Sequence, residues 1–457
     1  MRRRYLLLSF LLIVPCAMVG QGSPDILWSH TGQTWEMCLA ASDSGCFIQR
    51  TLGDAQAYCC DLLTGEPGLY LGNYVSSASF SADGTHAVVG RLAWVDTWDL
   101  DQGKLVQSRA VDGSPMTYKG IELCGVAEND YDEHGSYSLV SVLDLNTGFY
   151  DYFDSGGGLA QCVLSEDGSL FATNEWANDA QLSRIWDRKS HTLLYVEPEK
   201  VAYAISSDDD HVAIQDYPDN WMYSLSRGEF LYDLPGPLFA FSPDGTHFIT
   251  FEDFQLSFAD TETGAEQLSF ALPYYVDSVK WRKGFIICTA ERGNRFTCAM
   301  FDPFTVQHAI PSALTILRGN VISGGVGQLV DSDDEALNIG LGRTVTPLQA
   351  PIEVEIDGTT TANSVSILQF KIESSATRTQ IIQIIDLYDY VAGAWVPVDS
   401  RNLGTSDAVV DVNLGENTSR FLQNGHVRAR LSYRKDGGLS AFPWTVKIDQ
   451  VKWTMAP

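Results

Sequence analysis

The sequence predicts an all-β protein in two parts: a closed ring of about seven four-stranded units, then an antiparallel β-sandwich. Three observations carry this. Two short turn signatures alternate through the first two thirds of the chain with a period of about 40 residues. Both signatures stop near Pro311, and the remainder reads as short strands separated by turns. The composition, 45% apolar and 19% charged over 457 residues, is that of folded domains rather than of a disordered chain.

The first signature is an apolar strand running into a tight turn. It occurs as Ser79-Phe80-Ser81-Ala82-Asp83-Gly84, Val163-Leu164-Ser165-Glu166-Asp167-Gly168 and Ala240-Phe241-Ser242-Pro243-Asp244-Gly245, with weaker copies ending at Asp43 and Asp208. Segments 119–126 and 279–284 fill the same slot without the Asp-Gly pair. Asp-Gly makes a hairpin turn because glycine tolerates positive φ. Apolar residues sit three and five positions before the aspartate: Phe80 and Ala78, Leu164 and Cys162, Phe241 and Phe239, Ile205 and Tyr203. A spacing of two is strand periodicity, so each pair shares one buried face. The second signature closes each unit, as Asp61-Leu62-Leu63-Thr64-Gly65, Asp99-Leu100-Asp101-Gln102-Gly103, Asp144-Leu145-Asn146-Thr147-Gly148 and Asp260-Thr261-Glu262-Thr263-Gly264, with further copies at Asp187, Ser224 and Asp302. Trp98-Asp99 and Trp186-Asp187 place a tryptophan before the closing aspartate.

On these residues the segment 25–312 resembles the WD-repeat family and its bacterial propeller relatives. The resemblance implies a seven-bladed β-propeller, each blade four antiparallel strands, with loops and a central funnel that recognise partners. The chain departs from the family in lacking the Gly-His pair that opens a WD repeat; Ser29-His30-Thr31-Gly32 is a distant echo. Ring closure is expected to join a strand from one end of the segment to the last blade, and Ile26-Leu27-Trp28 is the expected strand.

The ring is preceded by an address. Arg2, Arg3 and Arg4, an apolar run from Tyr5 to Val14 broken only by Ser9, and Pro15 form the layout of a secretory signal peptide. The run is too short to span a bilayer, which needs about 20 apolar residues, and no later run is long enough. Residues 1–22 are therefore read as the signal, 23–316 as the propeller and 317–457 as the sandwich, in a secreted or periplasmic protein. Lipidation at Cys16 is disfavoured by Pro15 before it, where a small residue is needed.

The C-terminal part reads as strands at 352–356, 366–372, 381–388, 409–414, 426–433 and 445–453, with turns at Asp357-Gly358, Asn424-Gly425 and Asp436-Gly437-Gly438. Through Ser323-Gly324-Gly325, Asp386-Leu387-Tyr388-Asp389-Tyr390, Gly393-Ala394-Trp395 and Ile448-Asp449-Gln450-Val451-Lys452-Trp453-Thr454 it resembles a β-sandwich module of secreted bacterial proteins of planctomycete type. That likeness implies no activity.

The charge excludes two classes of partner. A formal net charge of −28 argues against a nucleic-acid binder and against docking on anionic lipid headgroups. The charge is not uniform: residues 318–457 carry only −4, whereas residues 5–317 hold 15 Lys/Arg against 42 Asp/Glu, or −27. A propeller partner is thus expected to be cationic or bridged by a divalent ion, and to be a protein or a carbohydrate.

No catalytic constellation emerges. There is no Gly-x-Ser-x-Gly elbow, and His86 and His247 both follow an Asp-Gly-Thr turn, a repeat position and hence structural. The acidic turns lack the spacing and tryptophan of sialidase-type turns, and the Asp-x-x-Thr-Gly turns lack the tryptophan of quinone-dependent propellers. No cofactor or catalytic residue is assigned. Calcium is the one metal the pattern admits, at Asp331, Asp333, Asp334 and Glu335, with Asp208-Asp209-Asp210 a second acidic run. Neither has the twelve-residue helix–loop–helix pattern, and an acidic surface turn is the favoured reading. Cys288 and Cys298 flank a Gly293-Asn294 turn and are a candidate disulfide. Trp35, Trp94, Trp176, Trp221, Trp395 and Trp444 are candidate platform residues, whereas Trp98 and Trp186 are expected in the core. The expectation is a non-enzymatic binding or scaffold protein; the alternative is an extracytoplasmic hydrolase or oxidoreductase with its site in the funnel.

Overall fold

The structure is a computed structural model and describes residues 24–457 apart from 32–34, 52, 133–134, 154–158, 178–179, 217–218, 291–295, 334, 347–348, 416 and 438–442. Residues 1–22, read from sequence as a signal, and His134 lie outside the described residues.

Seven four-stranded antiparallel sheets form the ring, as the repeat count predicts. Their innermost strands are Trp35–Ala41, Val75–Phe80, Ser114–Lys119, Leu159–Leu164, Val201–Ile205, Leu238–Phe241 and Ser278–Arg282, in blades 1 to 7. Blades 1 to 6 are simple meanders. Blade 7 takes three strands from residues 278–301 and its fourth, Ile26–Thr31, from the other end of the segment. Ile26 lies opposite Met300 and Thr31 opposite Phe296, so the strand expected to close the ring does so.

In blades 2 and 4 the paired apolar positions pack the blade on the one before it, whereas in blades 5 and 6 a register shift in the innermost strand parts the pairs: Ile205 faces the blade before and Tyr203 the blade after, and likewise Phe241 and Phe239. Phe80 and Ala78 join Ala40, Ile48 and Leu71 of blade 1; Leu164 and Cys162 join Val140, Val142 and Phe153 of blade 3. In blade 7 the corresponding residues are Val279 and Trp281, set against Ile249 and Phe258 of blade 6. Burying one such side chain contributes about 1.5–3 kcal/mol.

The turn signatures are held by their own polar groups. Ser81 Oγ donates to Asp83 Oδ1 (2.6 Å) and accepts from the His86 amide (3.0 Å). Ser165 with Asp167 and Leu170, Ser206 with Asp208 and His211, and Ser242 with Asp244 and His247 repeat the pattern. Gly84 completes its turn at φ +69, a conformation that glycine tolerates best. In the closing turns, Asp61 accepts from the Leu63 and Thr64 amides, Asp144 from Asn146 and Thr147, and Asp260 from Thr263. Hydrogen bonds to Ser81 and Thr85 hold the Asp83 carboxyl down at about 2. Much of the propeller's negative charge is thus committed to closing turns.

The C-terminal sheet has ten strands. Its first is Gln307–Arg318, so the boundary read from sequence between positions 316 and 317 falls inside a strand that starts ten residues earlier. The start of this strand pairs with Thr445–Ala456 and the remainder with Ile352–Thr359, carrying the sheet from one layer of a sandwich to the other. One core fills the space between layers, with Ile352, Val354, Leu431 and Tyr433 from one and Phe370, Ile372, Ile448 and Trp453 from the other.

The sandwich docks on the closure of the ring. Ile367 and Ala456 enter a core with Leu27, Phe47, Leu62 and Phe301. Gln369 Nε2 donates to Ile26 O (3.2 Å), and Asn413 Nδ2 reaches Leu27 O (3.0 Å) and Leu63 O (3.1 Å). Gly415 permits this approach, since a Cβ there would stand 2.6 Å from Leu63 Cδ1. Asp25, just before the closing strand, pairs with Lys452 (2.7 Å) and His308 (3.3 Å). Burial alone would raise the Asp25 carboxyl, but hydrogen bonds from His308 and Lys452, with their charges, outweigh it and hold it at about 2, below the ordinary 3.8.

Two predictions follow from this clamp. Asn413→Leu removes the side-chain donor to Leu63 O and one of two donors to Leu27 O, which keeps Gln369, and denaturant unfolding should show a loss of about 1–3 kcal/mol. For Asp25 the folded value is the lower one, so its contribution is complete above the unfolded value and lost as pH falls through about 2. Asp25→Asn should therefore cost about 1–2 kcal/mol near pH 6, converging on the wild type towards pH 2. A gap that stays constant across that range would exclude the ion pairs as its source.

Candidate functional site

The innermost strands of all seven blades converge on a central cavity of about 890 Å³, open on the side of the Ser-x-Asp turns. That volume suits a small ligand. Its walls carry Phe80, Tyr118, Tyr203, Phe239 and Trp281, and its charged side chains come from five blades. The carboxylates at the mouth are engaged. Asp43 accepts from the Lys283 amide (3.2 Å), Asp83 caps its own turn, and Glu122 pairs with Lys119 (2.9 Å). Glu166 of blade 4 reaches Arg282 of blade 7 (3.7 Å), an ion pair between blades that are not neighbours in the ring. Arg282 Nε also donates to Ala41 O of blade 1 (2.9 Å).

A second concavity, of about 580 Å³, lies between blades 5 and 6 and is lined by Asp219, Trp221, Asp233, Pro235, Pro237 and Glu252. Beside it, exposed apolar side chains recur on or next to the outermost strands of blades 5 to 2. Phe230, 6.0 Å from Trp221, is followed by Leu193, Leu194 and Val196, then Phe149 and Tyr152, then Leu105 and Val106, all exposed. These strands are sheet edges, so their outward backbone groups have no partner strand.

The residues singled out from sequence fall as follows. Asp331, Asp333 and Glu335 are exposed in a loop before Leu337–Gly340, where Asp333 Oδ1 accepts from the Glu335 amide (3.0 Å); Asp334 lies outside the described residues. Asp208, Asp209 and Asp210 turn to different partners: His211 and Ser206, Ser169, and Ser224 with Ser226. Among the described residues no group of three His, Cys, Asp or Glu is placed to hold a metal ion. His86 and His247 occupy matching places, each with Nδ1 on the threonine before it (2.8 and 2.7 Å). Trp94 is exposed, Trp221 lines the second concavity, Trp395 packs under Arg428 and Arg430, and Trp444 is buried; the side chains of Trp35 and Trp176 lie outside the described residues. Trp98 and Trp186 lie against the cores beneath them.

Cys288 and Cys298 stand opposite each other on adjacent strands and carry free thiols. A hydrogen bond from Cys298 and deep burial push the Cys288 thiol up. Sequence reading missed a second pair. Cys46 and Cys59 lie diagonally across a hairpin of blade 1, both half-buried, and a hydrogen bond from Cys59 lowers the Cys46 thiol. The signal was the hairpin register, which fixes which cysteines share a face.

Fold and cavity together define a seven-bladed β-propeller carrying a C-terminal sheet domain. Neither family models nor curated proteins give a match to this chain.

Thiol chemistry separates the two pairs. In the reduced protein, Cys46 should be alkylated first at about pH 8, because the thiolate is the reactive form. Cys38, pushed up to about 12 by burial, and Cys288 and Cys298 should react only on unfolding. Peptide mapping by mass spectrometry reads the order, and labelling of Cys288 at the same rate as Cys46 would contradict it.

Proposed function

We propose that this protein is a non-enzymatic recognition or scaffold protein that binds a protein partner along the outer rim of its propeller. The observation that carries this is the recurrence of exposed apolar side chains on or beside the outer edge strands of four consecutive blades, 2 to 5. Contiguous exposed apolar surface marks interaction sites, and unpaired edges accept an added strand. The concavity beside Phe230, lined by Asp219, Asp233 and Glu252, supports a partner with a basic group at that end of the rim; the faces of Trp221 and Phe230 themselves are taken by Lys200. The WD-like reading of the repeats rests on Trp98-Asp99 and Trp186-Asp187, and the basic–apolar–Pro15 start supports an extracytoplasmic setting. A hydrolase or oxidoreductase in the funnel is the weaker reading, because the four carboxylates lining the cavity are occupied by turns and ion pairs.

The test is partner capture from extracytoplasmic material by the full chain and by a Leu105→Glu, Leu194→Glu double variant. Both side chains are exposed, so stability should change by no more than about 0.5 kcal/mol per site. Loss of the captured partner in the variant is expected, with weaker capture at high salt. Undiminished capture by the variant would overturn the rim as the binding surface.

A further inference from the structure

The repeat makes its exceptions legible. Position by position along the innermost strands, the serine of the Ser-x-Asp turn recurs as Ser42, Ser81, Ser165, Ser206 and Ser242. In blades 3 and 7, which lack the Asp-Gly pair, that place is taken by Lys119 and Arg282. Two residues earlier, blades 1 to 6 carry Ala40, Ser79, Thr117, Val163, Ala204 and Ala240, none larger than valine. Blade 7 has Lys280 there. The faces agree with this alignment, since Val279 and Trp281 pack against blade 6, as Phe80 packs against blade 1. Ser278, on the opposite face of the strand, meets blade 1 through the Cys38 amide (3.3 Å).

All three substitutions are cationic, and all three line the central cavity of a strongly acidic ring. Lys119 and Arg282 are neutralised by Glu122 and Glu166. Lys280 is not: among the described residues no carboxylate lies within ion-pair distance of it. Its side chain is enclosed by the innermost strands yet reachable from the cavity, and burial lowers its amine from the ordinary value. An enclosed charge without a counter-ion is costly. Carboxylates are abundant on this protein, and none is placed to offset it. The innermost strands are also sheet edges, so backbone amides face the same space.

We infer that the central cavity binds a small molecule through an oxyanion group, a carboxylate or a phosphate, with Lys280 as its principal cationic contact. Arg282 and Glu166 close over the mouth from opposite blades. The bound group supplies the counter-charge that the chain withholds, and the volume leaves room for a ligand body against Tyr118, Tyr203 and Phe239. The site is separate from the outer rim, so either can stand without the other.

Calorimetry on the full chain, with inorganic phosphate in one arm and malonate in the other, tests this and distinguishes the two sources of oxyanion. Binding of at least one probe at 1:1 stoichiometry is expected. Lys280→Gln should weaken it at least about tenfold, Lys280→Arg far less, and Lys283→Gln, on the exposed turn beside it, not at all. A measurement on unaltered protein guards against a variant that does not fold. The binding probe should slow acetylation of Lys280 by acetic anhydride and leave Lys283 unprotected, as read by peptide mapping. Absence of 1:1 binding by both probes, or equal affinity of Lys280→Gln, would overturn the inference.

Discussion

Everything in this molecule depends on how the ring is closed. A propeller has no continuous covalent circumference, so its first and last blades must be held by non-covalent contacts. Here the strand Ile26–Thr31 completes blade 7, and the sandwich grips the same strand from outside. Gln369 and Asn413 satisfy its carbonyls, Ile367 and Ala456 complete the core beneath it, and Lys452 with His308 fixes Asp25 at its entrance. The two domains are therefore one mechanical unit at this point. A closed ring in turn sets the distances across the central cavity, so that Glu166 can meet Arg282 from three blades away.

The acidity of the ring has a local origin and a global consequence. Locally, aspartate can accept several hydrogen bonds within one turn: Asp61 and Asp144 each accept from two successive amides, and Asp83 accepts from one amide and two hydroxyls. Globally, eleven turn aspartates contribute to the large negative charge of the propeller. Against that background each cation in the central cavity costs more to leave out of position and attracts more strongly when in it. The three inward cations stand where the turn chemistry is missing, so loss of the repeat and gain of charge occur at the same places.

Much of the fold was legible in sequence because its determinants are local. The pairs Phe80 with Ala78 and Leu164 with Cys162 declare a strand face by spacing alone, and Asp-Gly declares the turn that follows. Blade 7 was harder, since Lys280 and Arg282 sit in the strand with Val279 and Trp281 and blur the apolar pattern. Six of the sandwich strands were readable; Asn320–Ser323, Leu337–Gly340 and Ala394–Leu403 were not, nor was Gln307–Arg318, whose residues serve the two layers in turn and show no single alternation. Of the sites, the facing of Cys288 and Cys298 followed from the hairpin between them. Cys46 with Cys59 did not stand out, because diagonal neighbours need the register to be known.

By itself the sequence determined most of the strands, the turns, the repeat period of about 40 residues and the sign of the charge, since each is fixed by residues within a few positions of one another. Only the tertiary structure decided which charges meet. Lys119, Glu166 and Lys280 are separated by whole blades along the chain and share one cavity because the ring returns on itself. The grip of the sandwich on Ile26–Thr31 is of the same kind, joining Asp25 to Lys452 across most of the chain. Local periodicity cannot encode such meetings, because they arise from closure, in which the position of every blade depends on all the others.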